Sequence, residues 1–312
     1  IVVDDKLPEG EVHAPEIDIF PEEANENGFY NGDVLVSLAV VDPRYIGQSA
    51  SDNGDCSGLN RVTYRIYTTD TTAVEEGTLL DLSNGVTAGA VYDADGLIQS
   101  WSGNITIHGN TFNSNTVRVE LTAVDNAGNV RTTTTAAGQI RIDMTNPTID
   151  VSYSNNVSDS SSYFNADRTA TIVITERNFD PNDVVLTITN TDGVIPALSD
   201  WRQIAGTGNQ DDTRWTATIT YSADGDYTFD IGYTDLADRA AGAVNYGSSV
   251  APTAFTVDKI LPTIAVSYNN NAAVNGTYFN RPRTATVVIV EHNFDVKRVT
   301  FTRTAALDGA NI

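Results

Sequence analysis

The sequence is poor in the residues that most often carry covalent or catalytic chemistry. One cysteine, Cys56, stands alone in 312 residues, which excludes an intrachain disulfide. The only lysines are Lys6, Lys259 and Lys297, two of them at positions that read as linkers and none at a core strand position. That scarcity disfavours intramolecular lysine–asparagine isopeptide bonds. The three histidines, His13, His108 and His292, are scattered, and no serine or cysteine sits in a recognisable nucleophile turn, so the chain does not read as an enzyme. Positive charge is scarce as well. Eighteen Lys and Arg against 41 Asp and Glu leave a net charge of −23, which argues against nucleic acid or an anionic membrane as partner. No apolar run is long enough to cross a bilayer, so no direct membrane insertion is expected, and no signal peptide is present. Strong helical periodicity is missing too. Thr, Val, Ile and Tyr are abundant instead, in short alternating stretches broken by Gly, Asn and Asp, which indicates an all-β chain.

What the chain does contain is itself, repeated. Asn146-Pro-Thr-Ile-Asp-Val-Ser-Tyr153 returns as Leu261-Pro-Thr-Ile-Ala-Val-Ser-Tyr268, and Tyr163-Phe-Asn165 returns as Tyr278-Phe-Asn280. Arg168-Thr-Ala-Thr-Ile-Val-Ile-Thr-Glu-Arg-Asn-Phe-Asp180 returns as Arg283-Thr-Ala-Thr-Val-Val-Ile-Val-Glu-His-Asn-Phe-Asp295. Each pair is 115 residues apart, the length of a whole small domain rather than of a solenoid repeat. A fainter first copy begins at Ala14-Pro-Glu-Ile-Asp-Ile-Phe20. It is longer, through the stretches 45–58 and 69–95. The expected division is 1–14 as the end of a preceding repeat, 15–146, 147–261, and 262–312 as the first half of a third copy. Both ends read as cuts through a longer protein. Half a repeat cannot close a sandwich core, so the residues after about 260 are expected to be poorly ordered or propped by a neighbour.

In the second copy Ala170, Ile172 and Ile174 alternate with Thr169, Thr171 and Thr175, a strand with one core face. Further strands are expected at 148–153, 184–189, 215–221, 227–233 and 254–257, with Phe229, Ile231 and Tyr233 inward. Such a count and spacing predict a Greek-key sandwich of immunoglobulin type, repeated in tandem as an elongated array. Asp224-Gly-Asp-Tyr227 reads as a tyrosine corner; the first copy has Asn115-Thr-Val117 there.

A strand followed by Asp-x-Ala-Gly-Asn, then a last strand ending in Asp, then a Pro-Thr-Ile opening, resembles the tandem bacterial immunoglobulin-like domains of large surface proteins and adhesins. The residues that carry the resemblance are Asp125-Asn-Ala-Gly-Asn129 with Asp143 and Pro147, and Asp235-Leu-Ala-Asp-Arg239 with Asp258 and Pro262. The second copy departs from the pattern at Asp238 and Arg239, where the family has Gly and Asn.

Acids recur at equivalent places. Glu176 keeps the parity of the inward residues 170, 172 and 174, and so do Asp42 and Glu291 in the other copies. Asp235 and Asp125 end the strands 229–233 and 119–123 in the same way. In the predicted sandwich these strands lie in opposite sheets about 10 Å apart, so the two acids converge over one end of the core. A third acid, Glu11, Asp143 or Asp258, stands four residues before each proline. Three carboxylates meeting without a cation would repel one another and be costly to desolvate. Calcium, which takes six to eight oxygens in a loose geometry, resolves this, with Asn126, Asn129 or Asp238 as additional donors. The resemblance points the same way, since related arrays carry calcium at their junctions. Magnesium prefers rigid octahedral sites, and zinc lacks His and Cys ligands here. The alternative is that the aspartates only bond backbone amides of their turns and the strand-end glutamates are solvated. His292 aligns with Arg177, and the position reads as surface.

Of the tryptophans, Trp215 opens a core strand, and Trp201, in the loop 198–208, is the candidate for ligand binding. The expected function is a structural and adhesive stalk segment of a bacterial cell-surface or secreted protein, stiffened by calcium between its domains. Its first partners are neighbouring repeats of the same chain. The competing expectation is a module binding a host glycan or protein, free-standing or attached to a larger enzyme.

Overall fold

The computed structural model describes residues 14–42, 57–158, 162–207 and 210–303. Glu11, His13, Cys56 and most of the stretch 45–58 lie outside them. The described residues are all-β: strands, turns and three short 3-10 turns, with no α-helix. No helix among them is long and apolar enough to cross a membrane.

The first unit contains β1 (Glu16–Pro21), β2 (Val34–Val41), β3 (Leu59–Tyr67), β4 (Val74–Asp81), β5 (Ala90–Tyr92), β6 (Ile98–Ile107), β7 (Arg118–Asp125) and β8 (Val130–Thr134). They form two antiparallel four-stranded sheets, ordered β1-β2-β6-β5 and β4-β3-β7-β8. The second unit contains β9 (Thr148–Tyr153), β10 (Tyr163–Phe164), β11 (Arg168–Thr175), β12 (Val184–Asn190), β13 (Arg202–Ala205), β14 (Arg214–Tyr221), β15 (Gly225–Tyr233) and β16 (Ala254–Val257). Its sheets are ordered β13-β14-β11-β9 and β10-β16-β15-β12. In each unit the two sheets share one apolar core, and the two cores are separate. The prolines 15, 147 and 262 each stand immediately before the first strand of a unit.

Alternation decides which residues enter these cores, because successive side chains on a strand point to opposite faces. Ala170, Ile172 and Ile174 are buried on β11, and Phe229, Ile231 and Tyr233 on β15. Val34, Val36, Leu38 and Val40 of β2 meet Val119, Leu121 and Ala123 of β7 in the first core. The hydroxyl of Tyr227 donates to the carbonyl of Ala223 at 2.8 Å, the tyrosine-corner bond expected from Asp224-Gly-Asp-Tyr227. Val117 of the first unit is a fully buried apolar side chain instead.

Two strands escape the alternation reading. β10 has only two residues and runs parallel to β16, while β13 is an edge strand with all four residues exposed. β10, with Phe164 alone inward, is too short to alternate, and β13 has no buried face. In the first unit, β4 and β5 arise from the extra stretch 69–95. The third copy forms β17 (Thr263–Tyr268) paired with β18 (Ala285–Val290). Its ladder repeats that of β9 with β11: Ala170 faces Tyr153, and Ala285 faces Tyr268. Ile264, Val266 and Val287 on this pair are exposed.

Arg168 is the largest fully buried side chain of the second core. Its guanidinium lies over the rings of Tyr153, Phe164 and Phe255, 3.8, 4.0 and 4.5 Å from their centroids. It donates to the carbonyls of Asn155 (3.0 Å), Ala251 (2.9 Å) and Val250, and to Asn156 Oδ1. Burial lowers its pKa to about 10. Arg283 repeats the arrangement over Tyr268 and Phe279. Because Arg168 satisfies several buried carbonyls at once, Arg168→Met is expected to destabilise the second unit by about 3 kcal/mol or more. Urea unfolding followed by the fluorescence of Trp201 and Trp215 would measure it.

Candidate metal centre

The end of the second core that faces the first unit is closed by acids. Glu176 is the first residue after β11, Asp235 lies two residues beyond Tyr233 at the end of β15, and Asp143 lies in the segment leading into β9. All three are buried, Asp143 completely. Each offers one carboxylate oxygen, and these oxygens lie within 4.8 Å of one another; among the described residues this is the group of acids so arranged. Inward parity carries Glu176 and Asp235 to this place, and the short connection from Asp143 to Pro147 brings the third.

Arg177, read from the sequence as a surface residue, is buried here. Its guanidinium crosses into the first unit, donating to Asn113 O (3.2 Å), Asn113 Oδ1 (2.8 Å) and Ile142 O (3.0 Å). It pairs with Asp143 and with Asp211, each at 3.3 Å. The three carboxylates therefore do not meet without any cation, as the sequence alone suggested. Asn178 adds a second link, its backbone N–H bonding Glu176 Oε1 and its amide bonding Asp143 Oδ2.

The surrounding joint is closely bonded. Asn25 and Asn27 donate to Leu236 O at 2.8 and 3.1 Å, and Asn31 donates to Ala237 O at 3.0 Å. Arg239 Nε donates to Asn146 Oδ1 at 2.7 Å, and Asn115 Nδ2 donates to Asn178 Oδ1 at 2.6 Å. Asp211 Oδ2 accepts from Asn113 and from Thr145. None of these partners was singled out from the sequence. The repeated Asn178 and Asn293 were the one available signal; the contacts of Asn25, Asn27 and Asn31 join residues more than 200 positions apart and leave no local trace.

The other predicted positions fall differently. Asp42 and Asp125 of the first unit are both buried. Asp42 Oδ2 accepts from Gly58 N at 2.6 Å, and both oxygens of Asp125 accept from Asn129, from its backbone N–H and from its amide, each at 2.8 Å. Asn129 thus acts as a hydrogen-bond donor to the acid, and Glu11 lies outside the described residues. Asn126 also turns elsewhere, to Ser57 O and Asn60. In the third copy Asn293 bonds both Asp258 and Glu291, repeating the Asn178 pattern, with His292 in the place of Arg177 and 3.6 Å from Asp226. Asp238 accepts from Asn25 and is not in the acid group. Its backbone has a positive φ of 62°, matching Gly128 at 91°, a conformation Asp tolerates better than most residues. Trp201 is half-buried and packs edge-on against Phe179, 5.0 Å between centroids, while Phe179 stacks on Trp215.

Two features make the acid group suited to a hard cation. All its ligand atoms are carboxylate oxygens, which favours calcium or magnesium over zinc. Asp235 Oδ1 accepts from the N–H groups of Ala237 and Arg239, but Asp235 Oδ2 is buried with no hydrogen-bond partner. A buried carboxylate oxygen without a partner is costly, and a cation or a proton would relieve it. With all three acids and Asp211 ionised, Arg177, which pairs with Asp211 as well, leaves a local charge of −3, most of which one divalent ion would offset.

The environment disfavours ionisation. Burial raises the pKa of Glu176 to about 8, with the charges of Asp143 and Asp235 adding to the effect; the N–H of Asn178 and the guanidinium of Arg177 oppose it. Burial raises Asp235 to about 6, reinforced by Asp143. Tyr233, whose hydroxyl accepts from Asp180 N, is also raised by burial, with Glu176 and Asp235 contributing.

No protein-family model matches the sequence, and no curated protein matches it. Among solved structures the chain is similar to FdeC, described as a novel broadly conserved Escherichia coli adhesin eliciting protection against urinary tract infections. The identity is 14%, over 88% of this chain and 73% of that one, with a TM-score of 0.32.

The raised acids set a pH dependence. Folded Glu176 holds its proton up to about pH 8, whereas the unfolded chain releases it near 4.5. The folded state therefore binds more protons across this window, and stability without divalent cations falls as pH rises from about 4.5 to about 8. The expected slope is on the order of 1 kcal/mol per pH unit for one proton. Glu176→Gln should flatten it above about pH 6, below which Asp235, raised to about 6, still contributes. Urea midpoints at pH 5, 6.5 and 8 in chelator would measure both.

Proposed function

We propose that the chain is a structural, adhesive stalk segment built from tandem immunoglobulin-like Greek-key sandwiches, with calcium held at the joint between its first two units. The strand orders support the fold. Lettered in chain order, β1-β2-β6-β5 and β9-β11-β14-β13 read A-B-E-D, while β3-β7-β8 and β12-β15-β16 read C-F-G, the two sheets of an immunoglobulin sandwich. On this reading the domains are 15–146 and 147–261, with 262–312 opening a third and 1–14 closing a preceding one. The net charge of −23 and the absence of a usable disulfide suit an extracellular bacterial protein, on the cell surface or secreted.

The observation that carries the reading is the buried joint. Two independent beads on a tether would have no reason to bury Arg177, Asp143, Glu176 and Asp235 between them. Such a joint transmits orientation from one unit to the next, as a spacer that holds a distal region away from a surface requires. Asp143, Glu176 and Asp235 would hold the calcium, with Asp143 coming from the connection and the other two from the second sandwich. Bound calcium would add two positive charges to the one of Arg177. Arg177 and Asn178 hold Asp143, and the N–H groups of Ala237 and Arg239 hold Asp235 by one oxygen and leave the other without a donor. Asp258 and Glu291 repeat two of the three positions at the next joint.

Calcium is expected to stabilise the second unit by about 1–2 kcal/mol at a few millimolar, taking a dissociation constant of roughly 0.1–1 mM for an extracellular module. Thermal melting and small-angle scattering in millimolar calcium or chelator would test this. Wild type should melt higher with calcium and keep an extended shape, while Glu176→Gln should not respond. An unchanged melting temperature and maximum dimension in both proteins would overturn the calcium reading.

A further inference from the structure

The two complete units close the same turn differently. In the first, Asp125 N bonds Asn129 O, Gly128 N bonds Asp125 O, and Asn129 N bonds Asp125 Oδ1. In the second, Asp235 N bonds Arg239 O, Asp238 N bonds Asp235 O, and Arg239 N bonds Asp235 Oδ1. The fourth residue of each turn has a positive φ. The backbones match in these three bonds; Asp235 Oδ1 takes one further N–H, from Ala237, and the two turns differ most in the side chain of their fifth residue. Asn129 turns back and places its amide 2.8 Å from Asp125 Oδ2. Arg239 turns away, to Asn146 Oδ1 and to Asn31 O in the first unit. Asp235 Oδ2 is left buried and unpartnered, on the residue that groups with Glu176 and Asp143.

We infer that residue 239 determines how far Asp235, the acid just beyond β15, is available to a divalent cation. An asparagine there closes the acid with its own amide; Arg239 leaves that oxygen open while its guanidinium anchors the joint from outside the cluster. An amide N–H takes one of the two lone pairs of the oxygen and already relieves its burial, so a metal ion gains less there, whereas an oxygen with no donor gains the most. Arg239 is thus a specificity-determining residue that touches no ion itself. The inference rests on the reading of the joint as a calcium site, and it deepens that reading by separating an open unit from a closed one.

The test exploits opposite signs. Removing the positive charge of Arg239 should by Coulomb's law alone tighten calcium binding, so Arg239→Ala is expected to bind as well as wild type or better. Arg239→Asn removes the same charge but supplies the amide, and is expected to bind calcium at least tenfold more weakly than Arg239→Ala. Calorimetric titration of the whole chain with calcium would read both, with Glu176→Gln to identify heat from this site. Urea midpoints in chelator supply a second readout, since Arg239→Asn should be more stable than Arg239→Ala once Asp235 Oδ2 has a partner. Equal calcium affinity and equal stability of the two variants, with wild type binding, would overturn the role of residue 239 alone. Absence of Glu176-dependent binding in wild type would overturn the calcium site itself, and this inference with it.

Discussion

A single guanidinium, that of Arg177, leaves the second unit, enters the first, and ends between Asp143 and Asp211 with hardly any contact with water. Desolvating charges is expensive, and the attraction between them repays the cost only where hydrogen bonds satisfy the groups that remain. The joint meets that condition unevenly. Arg177 has carbonyl and amide partners from Asn113 and Ile142, but its Nε has no partner, nor does Asp235 Oδ2. Such a site is specific in geometry while still able to accept a further charge. The alignment of the two sandwiches, the course of the connection and the packing of the loop at Asp211 all converge on it.

The three copies show how one backbone plan supports different chemistry. Inward parity at the end of a strand delivers an acid to the same place each time. What the acid then does depends on neighbours that lie outside the alternating stretch. Asn129 neutralises the turn of the first unit, Arg239 leaves that of the second open, and His292 stands where the next joint would have a permanent cation. Two substitutions at turn residues, each compatible with an unchanged fold, are enough to make neighbouring joints unlike. Units built on this plan can differ from joint to joint without altering their cores, because the cores are specified by β2, β7, β11 and β15 and not by the turns.

Much of the architecture was legible in the chain. The alternation at 34–40, 119–123, 170–174 and 229–233 corresponds to the buried faces, and the tyrosine corner at Tyr227 forms as its local sequence suggests. The short parallel pairing of β10 and the exposed edge strand β13 left no comparable pattern, since β10 places only Phe164 in the core and β13 places nothing there. Arg177 was misjudged for a related reason. Parity arguments end with the strand, and beyond it burial is decided by whatever packs on top, which here is another unit.

The sequence by itself determined the period of the array, the inward faces of its long strands and the placing of an acid at the end of each, because all of these follow from spacing along an extended chain. Only the tertiary structure decided that Asp143, Glu176 and Asp235 share one buried space, that Arg177 and not solvent meets them, and that one oxygen of Asp235 is left without a donor. Those outcomes depend on how the first sandwich seats on the second, through contacts such as Asn25 to Leu236 that span most of the described chain. No local pattern encodes such a contact, since its two ends meet only after both sandwiches have folded.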